Sequence, residues 1–217
     1  MNENDLFIKR MYELAERAFF KGYNTYSDFL NISEISTLKG MKPKSNYMLY
    51  GGYELADRCI VCFGDNFELD DFPIVCITIT PVQQKFADKL NHRDFLGAIM
   101  NLGISRSTIG DIIIENNVGY LFCLSNMAEY IVNSLNRIKH TTVKCIIKDS
   151  LPDFINKEPE SMEITVSSRR ADAVIASVFR LSRSQTGQLF NQEKVFVNSK
   201  ATYKEALSLK DNDTVSV

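Results

Sequence analysis

The stretch Asp111-Ile-Ile-Ile-Glu-Asn-Asn-Val-Gly-Tyr-Leu-Phe-Cys-Leu-Ser125 lies near the middle of a chain of 217 residues. Its two apolar runs, 111–115 and 118–124, are predicted to form strands, and the Asn116-Asn117 pair between them indicates a short hairpin turn. Ser125 is a good N-cap residue, so a helix is expected to begin where the second strand ends. The stretch therefore predicts a β-hairpin that leads directly into a helix.

The sequence on either side of this hairpin predicts a complete domain. We expect a strand at 74–80, helical sequence over 82–102 in one or two pieces, the hairpin, a helix from Ser125 and a strand at 142–148. The apolar face of the second helix contains Met127, Ile131, Leu135 and Ile138. Strand–helix–strand–strand–helix–strand is the order of the ferredoxin-like (RRM-like) βαββαβ fold, so we assign residues 74–148 to it. That fold hosts RNA-binding modules and many unrelated functions.

Residues 1–73 predict an N-terminal α/β region. Helical spacing over residues 3–21 predicts a first helix that ends at Gly22, and a short helix is expected from Ser33. Strands are expected at 47–50 and 59–63. We infer nothing about this region beyond folding.

The five cysteines are expected to be buried, reduced thiols in strands: Cys59, Cys62, Cys76, Cys123 and Cys145. Cys59 and Cys62 form a CxxC pair, a spacing found in redox centres and zinc sites. Positions three apart in a strand point to opposite faces, so we interpret this pair as structural. Reduced cysteines, an acidic N-terminus and no long apolar run predict a cytoplasmic protein without membrane insertion.

Charge is divided unevenly along the chain. The total of 25 basic and 27 acidic residues gives a net charge of -2. Residues 165–217 contain eight basic and five acidic side chains, a net charge of +3, so the other 164 residues carry -5. A proline-broken acidic linker is predicted over 149–165, followed by a small α+β domain over 166–217. The near-neutral total therefore does not exclude a nucleic-acid partner.

The arginines of this C-terminal domain have defined places in its predicted helices. The first helix is expected to bury Ala171, Val174, Ile175, Val178 and Phe179. Arg169 and Arg180 lie about 20° apart around that helix and are expected to share one stripe. Ser182 is the predicted N-cap of a second helix, which places Arg183 in a first turn where the macrodipole disfavours a cation. Such an arginine beside exposed backbone N–H groups favours a phosphate ligand over a merely solvated charged surface.

The rest of the domain is predicted to be a small sheet packed on the helices. Gly187, inside the second helix, indicates a close helix–helix contact. A strand is expected at 194–198 with Val195 and Val197 facing inward, then a turn at Asn198-Ser199 and a last strand at 214–217.

Several segments of the chain resemble known RNA-binding proteins. In the C-terminal domain they are Arg170-Ala-Asp172, Leu181-Ser-Arg-Ser184, Leu189-Phe190, Lys194-Val-Phe-Val-Asn198 and Asp213-Thr-Val-Ser-Val217. This pattern is similar to the small RNA-binding module (alpha-L motif) named after ribosomal protein S-four. Upstream, Leu90-Asn-His-Arg-Asp-Phe-Leu-Gly97, Leu102-Gly-Ile-Ser-Arg106 and Ile109-Gly-Asp-Ile112 resemble the bacterial YlmH proteins. Members of that family combine an N-terminal region, a ferredoxin-like domain and an S-four-type module.

The resemblance implies a set of RNA-binding residues. With their neighbours these are Arg169, Arg170, Arg180, Ser182, Arg183, Ser184, Lys194, Asn198 and Lys200, whereas Asp172 is expected to cap the helix or pair with an arginine. The implied partners are ribosomal RNA and tRNA on the large ribosomal subunit, in rescue of stalled nascent chains, and also cell-division proteins. We expect a monomer.

The chain departs from the S-four-type pattern at four positions. Ala171 replaces a leucine, while Glu193, Ser199 and Asn212 replace glycines. Glu193 places an acid beside Lys194, which weakens the expected contact there. Relatives continue past the position of Val217 with a basic segment, so we expect that the domain is truncated at its C-terminus.

One cluster, His92-Arg93-Asp94, raises the question of acid–base catalysis. Asn91 and Asp94 have the spacing of a capping box, which accounts for Asp94 and leaves His92 and Arg93 exposed. We expect a secondary RNA or ribosome contact from His92, Arg93 and Arg106, with no enzyme activity, cofactor or metal. The sequence thus predicts a non-catalytic ribosome-associated RNA-binding protein. The alternative is a protein-interaction adaptor linked to cell division.

Overall fold

The computed structural model describes residues 3–148, 150–156, 161–198 and 200–217. The chain forms two compact units, Met1–Glu158 and Pro159–Val217, both of mixed α and β structure. The presence of helices and sheets in both units confirms the prediction of a mixed α and β fold. The junction between the units lies inside the predicted 149–165 linker, whose residues 149 and 157–160 are outside the described part.

The first unit begins with a helix and a small antiparallel sheet. The elements are α1 (Glu3–Lys21), β1 (Thr25–Tyr26), α2 (Ile32–Lys39), β2 (Tyr47–Tyr50) and β3 (Ile60–Phe63), with sheet order β1-β3-β2. Helix α1 ends as predicted, because Gly22 adopts a φ of 69° that side-chain-bearing residues avoid. Asn31 caps α2 through a reciprocal capping box with Glu34.

The second part of this unit is a five-stranded sheet with two helices. Its elements are β4 (Ile74–Pro81), α3 (His92–Met100), β5 (Ile109–Glu115), β6 (Val118–Leu124), α4 (Ser125–Ser134), β7 (Arg137–Ile138) and β8 (Thr141–Lys148). The strand order is β5-β6-β4-β8-β7, and all pairs are antiparallel. Asn116 and Asn117 have φ values of 51° and 65°, so the predicted hairpin closes with two left-handed residues.

Both faces of this sheet are covered over much of their area. Phe95 and Ile99 of α3 and Ile131 of α4 pack on one face, against Ile77 and Leu121 among others. The other face carries a core that the sheet shares with the N-terminal region and residues 151–155, formed by Phe29, Ile60, Cys62, Phe72, Cys76, Phe122, Leu124 and Ile155. The boundary expected at residue 73 therefore lies within one compact unit.

Two expectations for this unit are wrong in detail. Ser125 is the first residue of α4 rather than its N-cap; Leu124 takes the cap position without a side-chain hydrogen bond. Helix α4 ends at Ser134, so Ile138 reaches the same core from strand β7. The helical sequence expected over 82–102 is present in two pieces, a 3-10 turn at Gln84–Phe86 and the nine-residue α3.

The two cysteines of the CxxC pair, Cys59 and Cys62, have different surroundings. Cys62 is buried in β3, whereas Cys59 precedes the strand and its thiol donates to the Ala56 carbonyl oxygen at 3.4 Å. All five cysteines are free thiols. Burial raises the pKa of the Cys59 thiol to about 11 and that of Cys123 to about 12.

The second unit contains α5 (Ala171–Phe179), α6 (Arg183–Asn191), β9 (Phe196–Val197), β10 (Lys200–Ala201) and β11 (Val215–Ser216). The sheet order is β10-β9-β11, and the sequence predicted no strand at β10. Ala171, Ile175, Phe190 and Val195 form the core. Val195 and Val197 are buried, as expected.

Helix α5 differs from its predicted stripe. Val178 is 38% exposed and Phe179 is 50% exposed, so only the first two turns pack on the core. Arg180 ends the helix with a φ of 52°. Arg169 precedes the helix, so these two arginines flank α5 and share no stripe along it. Gly187 approaches a loop carboxylate rather than another helix, because a Cβ there would lie 3.2 Å from Glu205 Oε1.

Candidate nucleic-acid interface

The start of α5 is held by a loop from later in the chain. The backbone N–H groups of Ala171 and Asp172 donate to the carbonyl oxygens of Leu207 and Glu205, at 2.8 and 3.1 Å. In return, the Leu209 N–H donates to the Arg169 carbonyl oxygen at 2.8 Å. These bonds satisfy donors that a helix start normally leaves open, so α5 offers them to no ligand. They hold the backbone on both sides of Arg170 and so fix the position from which its side chain extends.

Asp172 fixes the direction of the Arg170 side chain. The guanidinium donates from Nε and Nη2 to the two carboxylate oxygens, at 3.0 and 2.7 Å. This ion pair lowers the pKa of Asp172 and raises that of Arg170. The expected pairing of Asp172 with an arginine is confirmed. A guanidinium has five N–H donors, so the pair leaves three of them for another acceptor.

Ser182 is the N-cap of α6, as predicted. Its hydroxyl accepts from the Gln185 N–H at 3.2 Å, and the Gln185 side chain accepts from the Ser182 N–H at 2.8 Å. Arg183 and Ser184 follow in the first turn, and both are exposed. Among the described residues, Arg183 makes no ion pair. The helix therefore begins with a free cation where backbone dipoles attract an anion.

Arg170 and Arg183 line the same cavity of about 410 Å³. Its other lining residues are Ser167, Ser168, Asp172, Ala176, Thr186 and Glu205. The carboxylate of Asp172 is paired with Arg170, so the other acidic residue among the lining residues is Glu205. Two arginines at the starts of two helices, with serine hydroxyls beside them, form a site that suits a phosphate. The sequence missed Glu205 because only the loop at the start of α5 brings it here.

The other predicted residues of this unit have several different surroundings. Arg169 pairs with Asp211 at 3.1 Å, with side chains 71% and 86% exposed, so the pair contributes little stability. Arg180 and Lys194 are exposed and lie outside the cavity. The side chain of Lys200 is outside the described part of the chain.

Asn198 is used by the fold itself. Its Nδ2 donates to Asp213 Oδ1 at 2.8 Å, and its Oδ1 accepts from the Thr214 N–H at 3.0 Å. The residue has a φ of 49° and directly follows β9, so its bonds to Asp213 and Thr214 connect the end of β9 to the start of β11. The Lys210 N–H, which donates to the Asp213 carboxylate, and the Asn198 amide both lower the pKa of Asp213. The amide of Asn198 therefore has partners within the fold.

A second hollow that sequence reasoning missed adjoins Arg170. It has a volume of about 620 Å³ and is lined by Arg170 and residues 203–208. Tyr203 is 62% exposed there, and Glu193 accepts a hydrogen bond from its hydroxyl, which raises the tyrosine pKa. Glu193 therefore lies beside Tyr203. An exposed aromatic ring next to an arginine and Lys204 suits a nucleic-acid base.

The predicted capping box at α3 is confirmed. The Asp94 N–H donates to Asn91 Oδ1 at 3.2 Å, and Asp94 Oδ2 accepts from the Asn91 N–H at 2.9 Å. Lys139 Nζ lies 2.7 Å from the same Oδ2 and lowers the Asp94 pKa. His92 and Arg93 are exposed. Within the described ranges, no three histidine, cysteine or acidic side chains are arranged to hold a metal ion.

Arg106 has different surroundings from the exposed His92 and Arg93. Its Nη1 donates to the carbonyl oxygens of Ile109 and Gly110, at 2.6 and 3.2 Å. Burial, together with the nearby Arg58, lowers its pKa to about 10. Its Nη1 is thus directed at the backbone of β5.

The central part of the chain matches a class of RNA-binding domain. Residues 68–158 match the family model described as "Putative RNA-binding domain in YlmH". This range includes the whole five-stranded sheet with α3 and α4. Among the described residues, no helix is both long enough and apolar enough to cross a membrane.

Two named proteins are similar to more of the chain. The "Ribosome-associated protein quality control protein P2" of Bacillus subtilis (strain 168) is 29% identical in an alignment over 202 residues, and the match covers 88% of this chain and 76% of that protein. The solved structure of "Cell division protein ylmH from Streptococcus pneumoniae" has a TM-score of 0.55 at 16% identity. That match covers 68% of this chain and 92% of the other, and it concerns the fold alone.

Proposed function

We propose that this protein is a non-catalytic, cytoplasmic RNA-binding protein that docks on ribosomal RNA and tRNA of the large ribosomal subunit. Its role would be rescue or quality control of stalled nascent chains. The observation that carries this proposal is the convergence of Arg170 and Arg183 on one cavity. The match of residues 68–158 to an RNA-binding family and the likeness to a ribosome-associated relative support it.

The finer architecture belongs to the same proposal. The strand order β5-β6-β4-β8, with α3 and α4 on one face, is the arrangement that we expect for a ferredoxin-like domain. Two helices followed by a small sheet over 161–217 are consistent with an S-four-type module. We propose both assignments, and that the protein acts as a monomer.

The main test is co-sedimentation of the full chain with large ribosomal subunits through a salt series. Phosphate contacts make binding fall steeply as salt rises. Replacing Arg170 and Arg183 together by alanine should weaken binding and lower the slope of log affinity against log salt by about 1 for each phosphate that is no longer bound. The matched control is Arg17→Ala with Lys21→Ala, which removes two exposed charges from α1.

The two outcomes separate the proposal from a cell-division adaptor, the role that the name of the Streptococcus pneumoniae protein favours. An RNA-binding protein sediments with subunits at low salt, and only the Arg170/Arg183 variant is released early. A wild-type chain that stays at the top of the gradient at every salt concentration contradicts the proposal. A double variant that sediments like wild type contradicts the site assignment.

A further inference from the structure

A second basic groove lies on the helix-covered side of the five-stranded sheet. It has a volume of about 440 Å³. One wall is α3 with its C-cap Asn101; besides Asn101 it contributes Arg93 and Gly97, and the other wall contributes Asn136, Arg137 and Lys139. Residues 93, 97 and 101 are spaced by four, so they follow one line along the helix and its end.

The charges in this groove leave two arginines free. The single carboxylate of the lining, Asp94, binds Lys139 Nζ at 2.7 Å and also accepts the Asn91 N–H. Arg93 and Arg137 are exposed, and neither makes an ion pair among the described residues. The groove therefore presents two uncompensated guanidinium groups with amide side chains beside them.

Gly97 leaves the α3 side of the groove open. It lies inside α3, where glycine destabilises a helix relative to alanine. A Cβ at this position would have no other atom within 4 Å, so packing within the chain does not require glycine. A side chain at position 97 would enter the groove, and its absence leaves the helix backbone open to close contact.

The opposite face of the sheet offers less room for RNA. RRM-type sheets bind RNA by stacking bases on exposed aromatic rings. Here Phe122 is 1% exposed and stacks on Tyr53 with ring centroids 4.9 Å apart. The groove lining contains no aromatic side chain, so it suits phosphates better than stacked bases.

We propose that this groove binds the phosphodiester backbone of RNA, with Arg93 and Arg137 each contacting a phosphate. The guanidinium fork suits phosphate, and the Asn101 and Asn136 amides are placed to bond ribose or base edges. The groove lies within the residues that match an RNA-binding family. The inference rests on the proposed function and adds a second RNA site to it.

The test uses the full chain and ribosomal RNA extracted from purified large subunits, with affinity measured by filter binding at several salt concentrations. Replacing Arg93 and Arg137 together by alanine should weaken binding roughly 10- to 100-fold. The salt slope should fall by about 2, one for each phosphate that its arginine no longer holds. The matched control is Lys85→Ala with Lys144→Ala, two exposed cations outside the groove, which should bind nearly as wild type does.

Gly97 supplies a second test that does not depend on removing charge. Gly97→Ala should raise the thermal midpoint, because alanine favours the helix and meets no neighbour. Gly97→Glu should fold, as helical circular dichroism would show, and should bind RNA at least tenfold more weakly. If the Arg93/Arg137 variant or the Gly97→Glu variant binds RNA within twofold of wild type, the proposal that the groove binds RNA is wrong.

The outcomes distinguish this inference from the proposed function. If the Arg170/Arg183 variant loses affinity while the groove variants keep it, the groove is wrong and the proposed function stands. A wild-type chain that does not bind the extracted RNA overturns both.

Discussion

Arginines in the two units of this protein illustrate opposite uses of one side chain. In the first unit, the Arg58 guanidinium donates to the carbonyl oxygens of Ile109, Phe29 and Arg106, at 2.9, 3.2 and 3.3 Å. It thereby ties the N-terminal region to the central sheet. In the second unit, Arg183 is exposed and makes no ion pair among the described residues.

Arg58 and Arg183 have the same side chain, so the difference between them lies in the hydrogen-bond acceptors that surround each one. Arg58 and Arg106 direct N–H groups at backbone carbonyls, where burial lowers both of their pKa values. A guanidinium in this position completes backbone hydrogen bonding that the strands leave open. Arg170 and Arg183 keep donors directed at a cavity. Ligand binding is therefore expected where donors remain unused.

The largest expected effect is on stability, from Arg58→Ala. Loss of the guanidinium removes three hydrogen bonds, including the side-chain donor to the Phe29 carbonyl oxygen, and should lower the free energy of unfolding by about 2–4 kcal/mol. Arg58→Lys should not restore it, because an ammonium group lacks the planar fork. Urea unfolding of the full chain measures both. The control, Arg183→Ala, should change stability by less than about 0.5 kcal/mol. An equal loss of unfolding free energy in the two variants would contradict the different roles assigned to Arg58 and Arg183.

A smaller effect is expected from one methyl group added in each unit. A Cβ on Gly119 would lie 2.5 Å from Cε1 of the buried Phe95, so Gly119→Ala should cost about 1–3 kcal/mol. A Cβ on Gly187 would meet only the Glu205 carboxylate at 3.2 Å, inside a helix that favours alanine. Gly187→Ala should therefore stabilise by about 0.5–1 kcal/mol. Thermal unfolding compares them, and a destabilised Gly187→Ala would show that the carboxylate cannot move.

The smallest expected effect is the response to acid. The pKa of Asp94 is lowered by Lys139 and that of Asp172 by Arg170. A carboxylate with a lowered folded-state pKa stabilises above its unfolded pKa, and this stability is lost as pH falls through the folded value. Asp94→Asn should therefore cost stability at pH 7 and progressively less below about pH 4. Urea unfolding of wild type and variant at pH 7, 5 and 3 measures this, and a difference that widens in acid would contradict it.

Local sequence predicted many of the elements because short-range chemistry governs them. The capping box at Asn91, the N-cap at Ser182, the hairpin at Asn116-Asn117 and the glycine stop at Gly22 each depend on residues within a few positions. All four are confirmed. The pairing of Asp172 with Arg170 is also local.

Contacts over long sequence distances were not predictable. Asn198 matches a family position for RNA binding, yet its side chain bonds Asp213 and Thr214. Val178 and Phe179 fit a buried stripe, but α5 leaves the core before reaching them. Helical spacing identifies which residues share a face, and only the packing partners determine how much of that face is covered.

The sequence by itself determined the order of most elements, the caps at Asn91 and Ser182 and the concentration of positive charge in residues 165–217. Periodicity, turn residues and charge are properties of neighbours along the chain. Tertiary structure decided which arginines donate to backbone carbonyls. The acceptors of Arg58 are 51, 29 and 48 residues away in sequence. Those of Arg106 are near in sequence, and the path of the backbone turns them toward its guanidinium. Tertiary structure also brought Glu205 to the Arg170–Arg183 cavity and Arg137 opposite Arg93. Backbone carbonyls carry no signature in the sequence, so where they meet a guanidinium is set only when the chain folds.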